Sequence, residues 1–160
     1  MNELENPGPV LEVLAGTIGL VAIIFVHGAG IRAINRRFSQ AWVHVTPATR
    51  HWRVNLLLAL VIGSMALLHL LETLMWAVPL HLLNILPGLR DSYYYVLESY
   101  TTLGEGAVEL PERWRLIGPI IAMSGLFTFG WTGSVLVSIM TEFGKLDRSK
   151  ATRDRRRPEE

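Results

Sequence analysis

The stretch DSYYYVLESYTTLGEG, Asp91 to Gly106, decides how the rest of the chain is read. Asp91 or Ser92 makes a good helix N-cap. The residues from Asp91 to Tyr100 suffice for about three helical turns, too few for a membrane crossing, which takes roughly 20 residues. A helix arriving at Thr101-Thr102-Leu103-Gly104-Glu105-Gly106 cannot simply continue, because two glycines free the backbone for unusual dihedrals. The expected local structure is a short helix followed by an extended strand. What that pair can do depends on its flanks.

Both flanks are apolar blocks. The chain has 160 residues, half of them hydrophobic, and no cysteine. It therefore has neither a disulfide framework nor a thiolate metal site. Three blocks are long enough to span a bilayer: Val13 to Ile31, Val54 to Val78, and Leu116 to Thr141. The leader before the first is acidic (Glu3, Glu5, Glu12) and the stretch after it, Arg32 to Arg37, is basic. That is the reverse of a cleaved signal peptide, and a retained span is expected.

Charge sets the expected orientation. The loop from Arg32 to Arg53 holds five arginines and no acid, and the tail from Lys145 holds seven basic residues. Both should be cytoplasmic by the positive-inside rule. The segment from Pro79 to Trp114 carries Asp91, Glu98, Glu105, Glu109 and Glu112 against Arg90 and Arg113, and should face outward. Three spans with the N-terminus outside and the C-terminus cytoplasmic satisfy these constraints. The polar tail Arg153 to Glu160 is expected to be disordered, its basic run available to anionic lipid. The division is residues 1–53, an extra transmembrane helix and basic loop; 54–143, the central module; and 144–160, the basic tail.

Non-helical backbone at membrane depth is tolerated only when buried in protein or lining a watery cavity. Asp91 to Gly106 therefore reads as a re-entrant half-helix and a strand. Such a strand suits cation coordination: a ring of backbone carbonyls replaces an ion's water, Thr102 can add its hydroxyl, and the negative end of the helix dipole favours a cation nearby. One chain cannot close a ring, and fourfold symmetry is the natural closure. The fold class expected is all-α and membrane-embedded, with three transmembrane helices, a re-entrant pore helix, a filter loop and a homotetrameric pore.

The stretch from Tyr94 to Met140 resembles the pore module of the potassium-channel-like superfamily: pore helix, T-x-G-Y-G filter, inner helix with a glycine hinge. Thr101-Thr102-Leu103-Gly104 matches T-T-V-G with Leu for Val. Trp114-Arg115 opens the last span, and Ser124 to Gly130 is similar to an inner-helix hinge. His69-x-x-Glu72 and Trp76-Ala77 resemble small bacterial three-span channels, which implies a bacterial inner membrane. The resemblance implies an ion-coordinating filter at Thr101, Thr102, Leu103, Gly104, Glu105 and Gly106, supported from the pore helix by Glu98 and Tyr94. It implies a gate and hinge at Gly125, Gly130, Val137 and Thr141. Two positions depart from the family: Glu105 stands where the filter tyrosine would be and Ala107 where an aspartate would tether the filter. Glu98 lies where some family members place a buried glutamate partnered with that aspartate, so it needs another partner. Non-selective members carry an acid at the tyrosine position. The implied function is a cation channel weakly selective between K+ and Na+, with Ca2+ as a blocker at Glu105.

His69 and Glu72, three residues apart on one helix face, are intramembrane ionisable residues and so functional candidates. Two ligands from one chain make a poor metal site, and a hydrogen bond between packed helices, the pore helix among them, is the expected role. His27 is expected at an interface, and Trp42, Trp52, Trp76 and Trp114 in an interfacial aromatic belt. Gly125, Gly130 and Gly133 suit either close helix packing or a hinge. No arginine ladder marks a voltage sensor, and no ligand-binding domain fits in the tail. No enzyme activity, metal, other cofactor or nucleic-acid partner is expected, and membrane lipid is. The alternative to a conducting channel is a non-conducting pore-fold protein serving as a scaffold or accessory subunit, which the residues at 105 and 107 would permit.

Overall fold

A computed structural model describes residues 8–155. Four α-helices follow one another: α1 (Pro9–Trp42), α2 (His51–Leu82), α3 (Leu89–Tyr100) and α4 (Ile117–Arg155), with a single 3-10 turn at Glu112–Trp114 before α4. There is no strand among the described residues. Three helices are long and apolar enough to cross a membrane, as the hydropathy blocks require. Each runs past its block. The 34 residues of α1 reach about 50 Å at 1.5 Å per residue, against a hydrocarbon core of about 30 Å. The arginines at the ends of the blocks therefore lie on helix outside the apolar layer.

Several boundaries differ from the sequence reading. Helix α2 passes through Pro79 to Leu82, because a proline near a helix end loses a single backbone hydrogen bond. Helix α3 starts at Leu89 with Gly88 as its N-cap and no side-chain cap. Asp91 lies in its first turn, where a negative charge suits the dipole, and the Ser92 hydroxyl is buried without a partner among the described residues. Helix α4 carries the basic tail on to Arg155, so Arg153–Arg155 is helical. Glu3 and Glu5 of the leader, and residues 156–160 of the tail, lie outside the described residues.

Side-chain contacts fix the packing. Along α1 and α4, Gly16 meets Ile117 and Ile120, Gly28 meets Trp131, and Phe38 stacks on Phe143, so these two helices run parallel. Gly19 meets Trp76 and Gly30 meets Leu68, so α2 runs antiparallel to both. Small residues on α1 let the helix bodies approach closely, the usual way apolar helices associate where lipid removes the hydrophobic drive. The 43–50 connection and the end of α4 share one end of the bundle, where Lys150 Nζ donates to the Thr49 carbonyl at 3.0 Å. The start of α1 and the 83–116 segment share the other, where the buried Glu12 carboxylate accepts the Leu116 amide at the mouth of α4.

The interior is two apolar clusters with a polar layer between them. The first includes Ile23, Trp76, Val96, Tyr100, Trp114 and Ile121. The second includes Ile31, Phe38, Val61, Leu68, Ile139 and Phe143. Trp76 and Trp114 are thus core residues, 6% and 5% exposed, rather than belt residues. The Trp76 indole donates to Ser124 Oγ at 3.0 Å, a bond that holds it inside. Only 17–22% of the apolar windows of the three long helices is buried within the chain. Their outer faces are left to lipid or to other chains.

Candidate functional site

The short helix α3 packs between α2 and α4 and ends at Tyr100, where the sequence requires a break. The loop that follows is exposed from Thr101 to Ala107. It is not an extended β-strand. Thr102, Gly104 and Gly106 have φ of +59°, +66° and +71°, left-handed values that a β ladder cannot contain. Thr101 is right-handed at −86°, and Leu103 and Glu105 are not among the positive-φ residues. Glycine takes such values without strain; the β-branched Thr102 does not, and holds one only because its surroundings impose it.

Those surroundings are the end of α3. The Thr102 amide donates to the Ser99 carbonyl at 3.0 Å and the Leu103 amide to the Glu98 carbonyl at 2.9 Å. The Gly106 amide donates to Glu98 Oε1. Glu98, 6% exposed, therefore holds the loop at two points, through its backbone and its carboxylate. The Gly106 amide is thus the partner of the Glu98 carboxylate. Glu98 Oε2 is buried without a partner among the described residues. Behind the loop lies a cavity of about 400 Å³, lined by Tyr95, Glu98, Gly106, Glu109, Arg115 and Gly118 among others. Thr101 donates its hydroxyl to the Leu97 carbonyl at 2.7 Å. Leu103 is 64% exposed.

Tyr94, one helical turn before Glu98, donates its hydroxyl to Glu105 Oε2 at 2.9 Å. The carboxylate next to the phenol raises the Tyr94 pKa above its ordinary value, since the protonated phenol is the donor. Glu105 is thus tied to the same helix as Gly106.

The second polar assembly lies deeper. His27, expected at an interface, is wholly buried between the two apolar clusters. Its Nδ1 is 2.8 Å from Glu72 Oε1. Tyr100 donates to Glu72 Oε2 at 2.6 Å and lies 2.5 Å from Thr128 Oγ1. His69 reaches Tyr100 through Nδ1 at 3.0 Å and Thr132 through Nε2 at 3.1 Å. All four helices contribute. The His69-x-x-Glu72 spacing signals this site; His27, Tyr100, Thr128 and Thr132 come from elsewhere in the chain, and single polar residues in apolar runs are the one sign of His27, Thr128 and Thr132.

The expected gate residues fall into two groups. A methyl on Gly125 would overlap the Tyr100 carbonyl, whereas Gly130 and Gly133 face open space. Gly125 is a packing residue against α3. Val137 is 67% exposed and Thr141, also exposed, bonds the Val137 carbonyl at 2.9 Å. No protein-family model, curated protein or solved structure matches the chain.

Proposed function

We propose that the chain is one subunit of a tetrameric cation channel whose filter is the loop from Thr101 to Gly106. The observation that carries this reading is the left-handed backbone at Thr102, Gly104 and Gly106. A left-handed residue after a right-handed one, as at Thr101–Thr102, turns successive amides toward one side and leaves the carbonyls on the other. The Leu103 and Gly106 amides are engaged by Glu98. The opposite side of an exposed loop then presents oxygens, and a cation in a membrane is bound by rings of such oxygens.

Closure needs further copies. The loop is exposed in the single chain. With Glu105 and Ala107 in place of the family's tyrosine and aspartate, the outer coordination sites are wide and K+ is little preferred over Na+. Glu105 keeps one oxygen outside its bond with Tyr94, and four such carboxylates around one mouth bind a divalent ion.

Purified protein in liposomes tests the reading. Expected are a complex of four chains, K+ and Na+ flux of similar size, and external Ca2+ block weakened in Glu105→Gln. A tetramer without flux would leave the pore fold as a scaffold, and a monomer would end the channel reading.

A further inference from the structure

Five side chains in the polar layer close a ring. Glu72 Oε1 meets His27 Nδ1 at 2.8 Å, and His27 Nε2 meets Thr132 Oγ1 at 3.3 Å. Thr132 Oγ1 meets His69 Nε2 at 3.1 Å, His69 Nδ1 meets the Tyr100 hydroxyl at 3.0 Å, and Tyr100 returns to Glu72 Oε2 at 2.6 Å. Each contact needs one proton. An ionised Glu72 brings none, while Thr132, Tyr100 and each neutral histidine bring one. The set is therefore one proton short: between His27 and His69, a single threonine proton would have to serve two bare ring nitrogens.

The geometry points to a proton-binding site in the interior of the membrane domain, in which one extra proton completes the ring. With His27 as the imidazolium, its Nδ1–H donates to Glu72 and its Nε2–H to Thr132. Thr132 donates to His69 Nε2, His69 Nδ1–H to Tyr100, and Tyr100 to Glu72. Every contact then has one donor and one acceptor. Shifting protons along the Thr132 hydroxyl moves the charge to His69 and preserves the count, so the proton is shared. Electrostatics gives the same answer. Glu72 and His27 are 0% exposed, and an unpaired buried carboxylate is strongly disfavoured; carboxylate plus imidazolium is neutral.

The groups facing the ring are few. Helix α1 gives His27, α2 gives His69 and Glu72, and α3 gives Tyr100. Helix α4 gives the non-titrating Thr128 and Thr132, with the rings of Phe129 and Trp131 against the histidines. Thr128 Oγ1 lies 2.5 Å from the Tyr100 hydroxyl from outside the ring, and either oxygen can be the donor. His27, His69 and Glu72 also place ligand atoms within 4.8 Å of one another. Yet His27 Nδ1 and Glu72 Oε1 at 2.8 Å are closer than the roughly 3.3 Å between two ligands of tetrahedral zinc with bonds of about 2.0 Å. A divalent ion would also leave the set with net positive charge.

The ring does not depend on whether the chain conducts, and its test uses no flux. The full chain in liposomes, with 15N-labelled histidine and His44, His51 and His81 replaced by Gln, is measured by solid-state NMR at pH 8, where free imidazole is neutral. The expected result is one doubly protonated ring per pair, averaged over His27 and His69. Thr132→Val should localise the proton on one histidine and separate the two signals, and Thr132→Ser should restore the averaging. Two singly protonated histidines in the parent would overturn the proposal. So would signals unmoved by Thr132→Val, or one metal ion per chain by mass spectrometry.

Discussion

Two residues of one helix, Glu98 and Tyr100, serve two polar structures built on opposite terms. Tyr100 belongs to the ring at the bundle centre, where four helices supply partners and the carboxylate and its histidine are shut off from solvent. Glu98 holds the loop from one side only, and the other face of the loop is bare. The ring closes within a single chain. The loop is exposed on its other face. The two structures thus rest on different residues, separated by less than one helical turn.

The sharpest way to break this contrast is at the ring. Glu72→Gln removes the anion that His27 and Tyr100 meet, and breaking a buried pair costs on the order of 3–5 kcal/mol. The variant should unfold in detergent at far lower denaturant than the parent, or fail to accumulate in the membrane. A Glu72→Gln protein as stable as the parent would make the ring ornamental.

The next largest effect separates glycines that look alike in sequence. Gly125→Ala drives a methyl into the Tyr100 carbonyl, and overpacking of this kind costs about 1–3 kcal/mol. Gly130→Ala meets nothing within the chain and should leave subunit stability unchanged. Thermal unfolding of the two variants side by side decides it.

At the loop, Glu98→Ala removes the acceptor of the Gly106 amide and should cost about 1–3 kcal/mol locally, the range for a lost hydrogen-bond partner. Its signature is selective. In hydrogen exchange the Gly106 amide should lose protection, while the Leu103 amide, bonded to the Glu98 backbone carbonyl, should keep it. Equal loss at both amides would mean that the carboxylate is not what ties down the far end of the loop.

The smallest effect is at the exposed rim. The Tyr94 phenol is held above its ordinary pKa by Glu105, so the bond is intact below the usual phenol range near 10 and is lost as pH rises through the raised value. Ultraviolet titration should show one tyrosine ionising at lower pH in Glu105→Gln than in the parent. Unfolding at neutral pH should be unchanged.

Part of this architecture is legible in the sequence. Three apolar runs of spanning length and the Tyr100–Thr101 break follow from local composition, since helix in lipid is dictated by the need to satisfy each backbone group nearby. Glu98 and Tyr94 stand out as supports, though the amide and carboxylate they hold do not. The left-handed loop reads as a strand, because two glycines signal unusual dihedrals without saying which. His27 reads as interfacial, since a lone histidine in an apolar run looks the same there as at a helix contact.

The sequence by itself determined the three membrane-length helices, the short helix α3 and the point where it must break, because these depend on residues within a few turns of one another. Only the tertiary structure decided that Glu72 meets a histidine 45 residues before it and that the Thr132 hydroxyl reaches one 105 residues away. Such contacts depend on helix rotation and depth, which are set by glycines such as Gly19 and Gly30 receiving Trp76 and Leu68. A buried charge has to find its partner in space, and spacing along the chain carries no record of where that partner is.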